Sequence, residues 1–284
     1  MNIFSGSSKG GTRKPAVAGA FYPGSASSLK SMINEFLANV EKVTIDGKIA
    51  GLIVPHAGYV YSGQVAAYAY KQIEGMDFDT VIMLGVSHRV PFRGANIYKS
   101  GAYETPLGVV EVDETLASEL MDRTDIFDFY PNADSTEHSL EVQVPFLQIV
   151  LTNFKIVPIL MREWTGMIGH AVSDAIAESI KGKNVLIVTS TDMSHYHPYK
   201  EAVSMDDVAL TSIKRMDIEQ LEDDLMSGEA ELCGAGAVLT TLMTANKLGA
   251  EGIEILKYAN SGDVTGDKSD GVVGYFSALI YQKN

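Results

Sequence analysis

Short apolar runs rich in β-branched residues recur along the chain at positions 49–55, 80–85, 155–160, 184–189, 253–260 and 271–281. This pattern predicts strands. Between them lie amphipathic stretches with helical spacing at 27–40, 62–74, 114–121, 138–151, 165–180, 200–214 and 234–248. Two of these open on side chains suited to capping a helix, Ser62 ahead of Gln64 and Val65, and Asp113 ahead of Glu114. Strands alternating with helices predict an α/β fold, a central mixed β-sheet with helices packed around it. No linker, repeat or shift in composition divides the chain. One domain over residues 13–284 is expected, behind a flexible Gly/Ser-rich tail at 1–12.

Composition narrows the function classes. The chain has 284 residues, 46% hydrophobic and 20% charged, enough to bury one large core. Lys and Arg number 22 against 36 Asp and Glu, a formal charge of −14 that repels phosphate backbones, so no nucleic-acid partner is expected. Basic pairs such as Arg13–Lys14 and Lys214–Arg215 read as solvated surface. No run reaches the roughly 18 apolar residues needed to span a bilayer, so no membrane association is expected. Residues 1–13 carry no apolar segment of the kind a signal peptide needs. With a single cysteine, Cys233, no disulfide can form within the chain, and a cytoplasmic location is expected.

Polar chemistry gathers at strand ends. Two predicted strands run into histidine-bearing turns, at His56 and at His88, and a third leads through Asp192 to His195. Ligands in open α/β sheets bind beyond the carboxyl ends of the strands, so neighbouring strands of this kind would converge on one site. Neutral imidazole is a common metal ligand, and His56 and His88 are candidates; each also reads as a turn-capping histidine. Cys233 precedes Gly234 and an apolar helical run, which suits a third ligand, a nucleophile with a dipole-favoured thiolate, or a packed thiol. Asp192 and His195 are spaced so that a helical turn would put them on one face, an arrangement fit for acid–base work; Asp192 alternatively caps a helix. Glu137, His138 and Glu141 form a second polar group, read as pocket wall or support behind the ligands. Tyr59 and Tyr61, with Tyr196 and Tyr199, are candidate lining residues, and His170 reads as structural. No phosphate-binding glycine loop is present, so no nucleotide cofactor is expected.

Five segments together resemble a known family: Arg13 to Pro23 (RKPAVAGAFYP), Val54 to Gly63 (VPHAGYVYSG), Gly85 to His88 (GVSH), Glu137 to Glu141 (EHSLE) and Ser190 to His195 (STDMSH). They are similar to the Memo family, whose microbial members are called AmmeMemoRadiSam system protein B. The resemblance implies a fold like the class III extradiol dioxygenases, which open catechol rings with non-haem iron. It implies a metal triad of His56, His88 and Cys233, flanked by Asp192 and by His195 in the acid–base position. A thiol in place of the dioxygenases' carboxylate is softer and oxidisable, which suits Fe(II) or copper, with zinc also possible. Three functions stay open: a metal-dependent redox or oxygenase-like enzyme, a non-catalytic module recognising a peptide or small ligand, and a zinc hydrolase. The family's system name implies a radical-SAM enzyme and a companion protein as partners.

Overall fold

Side chains of the central strands alternate between two hydrophobic layers, and that alternation organises the molecule. The computed structural model describes residues 11–162 and 166–282. In chain order the strands are β1 (Thr12–Arg13), β2 (Lys48–Val54), β3 (Thr80–Val86), β4 (Ala95–Ile97), β5 (Ala102–Thr105) and β6 (Gly108–Glu111). They continue with β7 (Phe127–Asp128), β8 (Lys155–Met161), β9 (Val185–Ser190), β10 (His195–His197), β11 (Gly252–Asn260) and β12 (Val272–Gln282). The helices begin with α1 (Ala26–Ala38), α2 (Tyr59–Ile73), α3 (Glu114–Arg123), α4 (Pro131–Ser135) and α5 (Val144–Val150). They end with α6 (Met167–Ile180), α7 (Tyr199–Lys214), α8 (Ile218–Ser227), α9 (Ala235–Lys247) and α10 (Ser261–Thr265).

The large sheet runs β10-β12-β2-β9-β3-β8-β4-β7, with β11 paired to β12, and β1-β5-β6 form a smaller sheet. At its centre β2, β9, β3 and β8 are parallel, while β12 and β4 join antiparallel on either side, so the sheet is mixed. Leu52, Val54, Val81, Met83, Leu186 and Val188 pack with Leu29 and Ile33 of α1 and Ala66 and Tyr70 of α2. Their sequence neighbours turn the other way. Ile53 packs with Val238 and Leu239 of α9, and Ile82, Leu84 and Ile187 with Val172 and Ile176 of α6. A strand covered on both faces must be apolar throughout, which is why these strands read as unbroken hydrophobic runs. Each fully buried Leu or Ile here contributes about 1.5–3 kcal/mol. The result is one α/β domain with helices on both faces of a mixed sheet, as expected. Among the described residues, no helix is long and apolar enough to cross a membrane.

Several local expectations need correction. Helix α2 starts at Tyr59 behind Gly58, so Ser62 is not its cap; the Ser62 hydroxyl donates back to the Ala57 carbonyl at 2.9 Å. Asp113 does cap α3, accepting from the Leu116 amide at 3.0 Å. The helix expected over 138–151 shrinks to a 3-10 turn at Glu141–Gln143 and α5, with irregular chain over 137–140. Thr12 and Arg13 pair with Ala102 and Tyr103, so the chain is already ordered at the end of the expected tail; residues 1–10 of that tail lie outside the described residues. Thr165, expected to open α6, lies outside them too.

Candidate metal centre

Register brings the three site-bearing strands abreast. Val54 of β2 pairs with Ser190 of β9, and Leu84 of β3 with Thr189, so the carboxyl ends of β2, β9 and β3 lie side by side. His56, Asp192 and His88 each follow two residues beyond their strand. The convergence expected from the sequence is present.

The hydrogen bonds behind the imidazoles fix how the rings are used. The Ser190 hydroxyl donates to the Ser139 carbonyl at 2.6 Å and accepts from Gln143 Nε2 at 2.8 Å. Its only remaining role toward His56 Nδ1, 3.0 Å away, is to accept, which puts the proton on Nδ1 and leaves a lone pair on Nε2. His88 Nδ1 lies 2.9 Å from a Glu137 carboxylate oxygen, which can only accept, so its Nε2 is also left with a lone pair. Both rings are thus oriented as metal ligands are, with the rear nitrogen donating to a fixed acceptor. His138 stacks on His88 with ring centres 4.7 Å apart. One donor atom from each of His56, His88 and His138 lies within 4.8 Å of the others. This histidine cluster could bind a metal ion.

Cys233 approaches from the turn ahead of α9. Its Sγ sits 3.2 Å from His56 Nε2 and accepts from the Asp192 amide at 3.2 Å. With burial keeping the proton on sulfur, the thiol donates to the bare His56 Nε2, and among the described residues the grouped ligand atoms are those of His56, His88 and His138, without Cys233. The closeness depends on Gly234, where a Cβ would come within 2.6 Å of the Ser190 carbonyl oxygen. Gly234→Ala is expected to cost about 1–3 kcal/mol by forcing this turn outward, read as a lower urea midpoint. A wild-type midpoint in that variant would show that the turn has room to spare. The expected depression of the thiol by a helix N-terminus is not found. Cys233 lies ahead of the α9 cap residue Gly234, and burial, with Asp192 adding to it, pushes the thiol well up.

Asp192 is buried, and one carboxylate oxygen accepts from the His56 amide at 2.7 Å. Burial raises its pKa to about 7, against the backbone hydrogen bonds from His56 and Ala57. Asp192 and His195 do not share a helical turn, because pairing with β12 stretches this segment out. Met193 donates to the Gly274 carbonyl at 2.8 Å, Gly274 to that of Ser194 at 2.9 Å, and His195 opens β10. Both side chains nonetheless line one cavity of about 640 Å³ with His56, His88 and His138. Burial lowers the pKa of His195, outweighing the opposite pull of Glu231. Burial likewise brings His138 down to about 4.

The remaining expected residues divide. Tyr61 and Tyr196 line the cavity, whereas Tyr59 is buried and donates to the Val142 carbonyl at 2.6 Å. Glu137 sits behind His88 rather than on the wall. Glu141 lies deeper, bonded to Arg13 at 2.7 Å, and Arg13 is buried, not the solvated surface residue that its pairing with Lys14 suggested. The sequence reading gave His138 a supporting place; its ring stands among the donors. Phe21, Tyr275, Asp267 and Asp270 also line the cavity, and of these only Phe21 lies inside one of the five motifs.

The family model for Memo-like proteins matches residues 13–279. A MEMO1 family protein from Nitrosopumilus maritimus is 38% identical over 268 residues, covering 93% of this chain and 97% of its own length. Another from Methanothermobacter thermautotrophicus is 38% identical over 275 residues, covering 93% and 98%. A solved structure of an uncharacterized Escherichia coli K12 protein superposes loosely, with a TM-score of 0.46 and 12% identity over 80% of this chain and 99% of that one.

Proposed function

Because the chain belongs to the Memo-like family, we propose that His56, His88 and Cys233 hold one iron or copper ion for redox chemistry on a small organic substrate. The observation that carries this reading is the pair of imidazoles locked from behind by Ser190 and Glu137, which leaves both Nε2 lone pairs without a proton. Thiolate with two imidazoles is a donor set that suits soft or borderline transition metals. When bound, such an ion supplies Lewis acidity and one-electron redox chemistry.

The chain's own residues do the rest. Asp192, with its pKa raised to about 7, can take a proton from a substrate hydroxyl or return one near neutral pH. His195, kept neutral at that pH by its burial, offers a second acceptor on the same cavity. His138 stacks against His88 and keeps its ring from rotating. The aromatic walls hold a flat substrate and keep bulk water from the floor.

Anaerobic metal titration of the full chain, followed by elemental analysis, tests the reading. About one iron or copper per chain is expected, with affinity at least ~10-fold weaker in Cys233→Ser and little changed in His138→Ala. If His138→Ala loses the ion and Cys233→Ser keeps it, the three imidazoles hold the metal instead. No uptake by the wild type overturns the reading. The raised thiol adds a second expectation, since binding must expel its proton. Affinity should fall about tenfold for each pH unit below neutrality in the wild type, and more shallowly in Cys233→Ser.

A further inference from the structure

The cavity above the histidines has a charge and a surface of its own. Four aromatic residues line it, Phe21, Tyr61, Tyr196 and Tyr275, together with the exposed aspartates Asp267, whose carboxylate also accepts from Ser269, and Asp270. Among the described residues, no lysine or arginine lines it. Lys268 lies between those two aspartates in sequence but is not part of the lining, and its ammonium is engaged elsewhere. Its Nζ is 2.9 Å from Asp263 and 3.9 Å from the centre of the Tyr199 ring. Arg89 acts on His138 from outside the lining.

Tyr196 shows that the aromatic wall is built and held. It is 79% exposed, yet its backbone has φ of +61°, a conformation a tyrosine adopts only when its surroundings impose it. The imposing contacts are visible. Its neighbours His195 and His197 pair with Val273 and Val272 of β12, and Gly271 lies so close that a Cβ there would be 2.3 Å from the Tyr196 carbonyl oxygen. Tyr61, on the same lining, is 44% exposed. Exposed tyrosine faces on one cavity gain by packing against a flat ring.

We propose that this cavity binds a small aromatic amine, its ring seated among Phe21, Tyr61, Tyr196 and Tyr275 and its ammonium group at Asp267 and Asp270. The proposal rests on the reading that the cavity is the functional site, and it names the ligand class that site takes. An ammonium at those aspartates gains from both carboxylates and from the faces of the lining tyrosines. An anion of the same shape meets those carboxylates with no lysine or arginine to offset them. A saturated ring of equal size keeps the charge but loses the stacking.

Calorimetric titration of the full chain with phenethylamine, phenylacetate and 2-cyclohexylethylamine tests each part. It is run at pH 8, where ordinary imidazoles are neutral, on metal-free and metal-loaded protein. Phenethylamine is expected to bind at least ~10-fold more tightly than phenylacetate, and more tightly than the saturated amine. The preference over phenylacetate should shrink toward parity in the Asp267→Asn/Asp270→Asn variant, whose changes lie on an exposed loop. No binding of phenethylamine, equal binding of the acid, equal binding of the saturated amine, or an undiminished preference in the variant overturns the proposal. A clear amine preference without metal uptake would leave the ligand class standing and remove the metal reading; metal uptake without the preference would do the reverse.

Discussion

Arg13→Leu is expected to lower the free energy of unfolding by about 3–5 kcal/mol, the cost of leaving a buried carboxylate without its counter-charge. Arg13 and Glu141 have side chains only 3% and 1% exposed and meet at 2.7 Å. The guanidinium makes three further bonds, donating from Nε to the Asp134 carbonyl at 2.8 Å, from Nη1 to the Lys14 carbonyl at 3.2 Å and from Nη2 to the Glu137 carbonyl. Lysine offers a single ammonium and cannot reproduce this fork, so Arg13→Lys should recover only part of the loss. Replacing both partners by leucine should not restore stability either. Glu141 also accepts from the Ala16 amide at 2.7 Å, the Val17 amide at 3.0 Å and the Tyr22 hydroxyl at 2.6 Å. Those donors would be left unpaired at about 1–3 kcal/mol each. Urea unfolding of the four proteins decides the matter. A loss below about 1 kcal/mol for Arg13→Leu would mean that the pair is far better solvated than its burial indicates.

That network also marks where sequence reading stopped. Arg13 and Lys14 are adjacent and alike in charge, yet Lys14 is 73% exposed at its side chain while Arg13 is buried. Nothing local separates them, because the burial of Arg13 is set by Glu141, 128 positions away. The central strands were legible for the opposite reason: being covered on both faces, β2, β3, β8 and β9 carry their own signal as unbroken apolar runs. Strands β4 and β7, of three and two residues, are too short to show any period.

The site divides along the same line. His56, His88 and Asp192 were legible because each directly follows a buried strand, and strand adjacency carried them together. His195 lines the same cavity but on a strand, since pairing with β12 overrides its helix-like spacing from Asp192. The helix expected to begin at His138 fails for a related reason. The motif around it has helical spacing, but the Glu137 carboxylate captures the amides of His138 and Ser139 and pulls the chain out of a helix. A side chain that competes for backbone amides defeats periodicity, and its reach becomes visible only in three dimensions.

Glu137 is therefore the residue through which fold and site are coupled, and Glu137→Gln should register in both. Its carboxylate accepts from the amides of His88 and His138 at 2.7 Å each and of Ser139 at 2.8 Å, besides orienting the His88 ring. Burial opposes its ionisation, but these bonds prevail, and its pKa falls from 4.5 to about 2. A carboxyl whose folded pKa is depressed stabilises the fold fully above its unfolded value and loses that contribution as pH falls through the folded one. The window here is about pH 4.5 down to about 2, and the contribution at neutral pH is about 3 kcal/mol. Glutamine turns one acceptor into an amide donor facing amide donors, so the variant should lose most of this stabilisation at pH 7 and much less at pH 3. Urea midpoints of the metal-free proteins at the two pH values measure the narrowing; an equal gap at both would show that the carboxylate charge contributes nothing. The same substitution removes the anion behind His88, and metal affinity at neutral pH should fall about 10–100-fold. Unchanged affinity alongside lost stability would separate the two roles, leaving Glu137 as a tie for the 137–140 turn and the orientation of His88 to its stacking on His138.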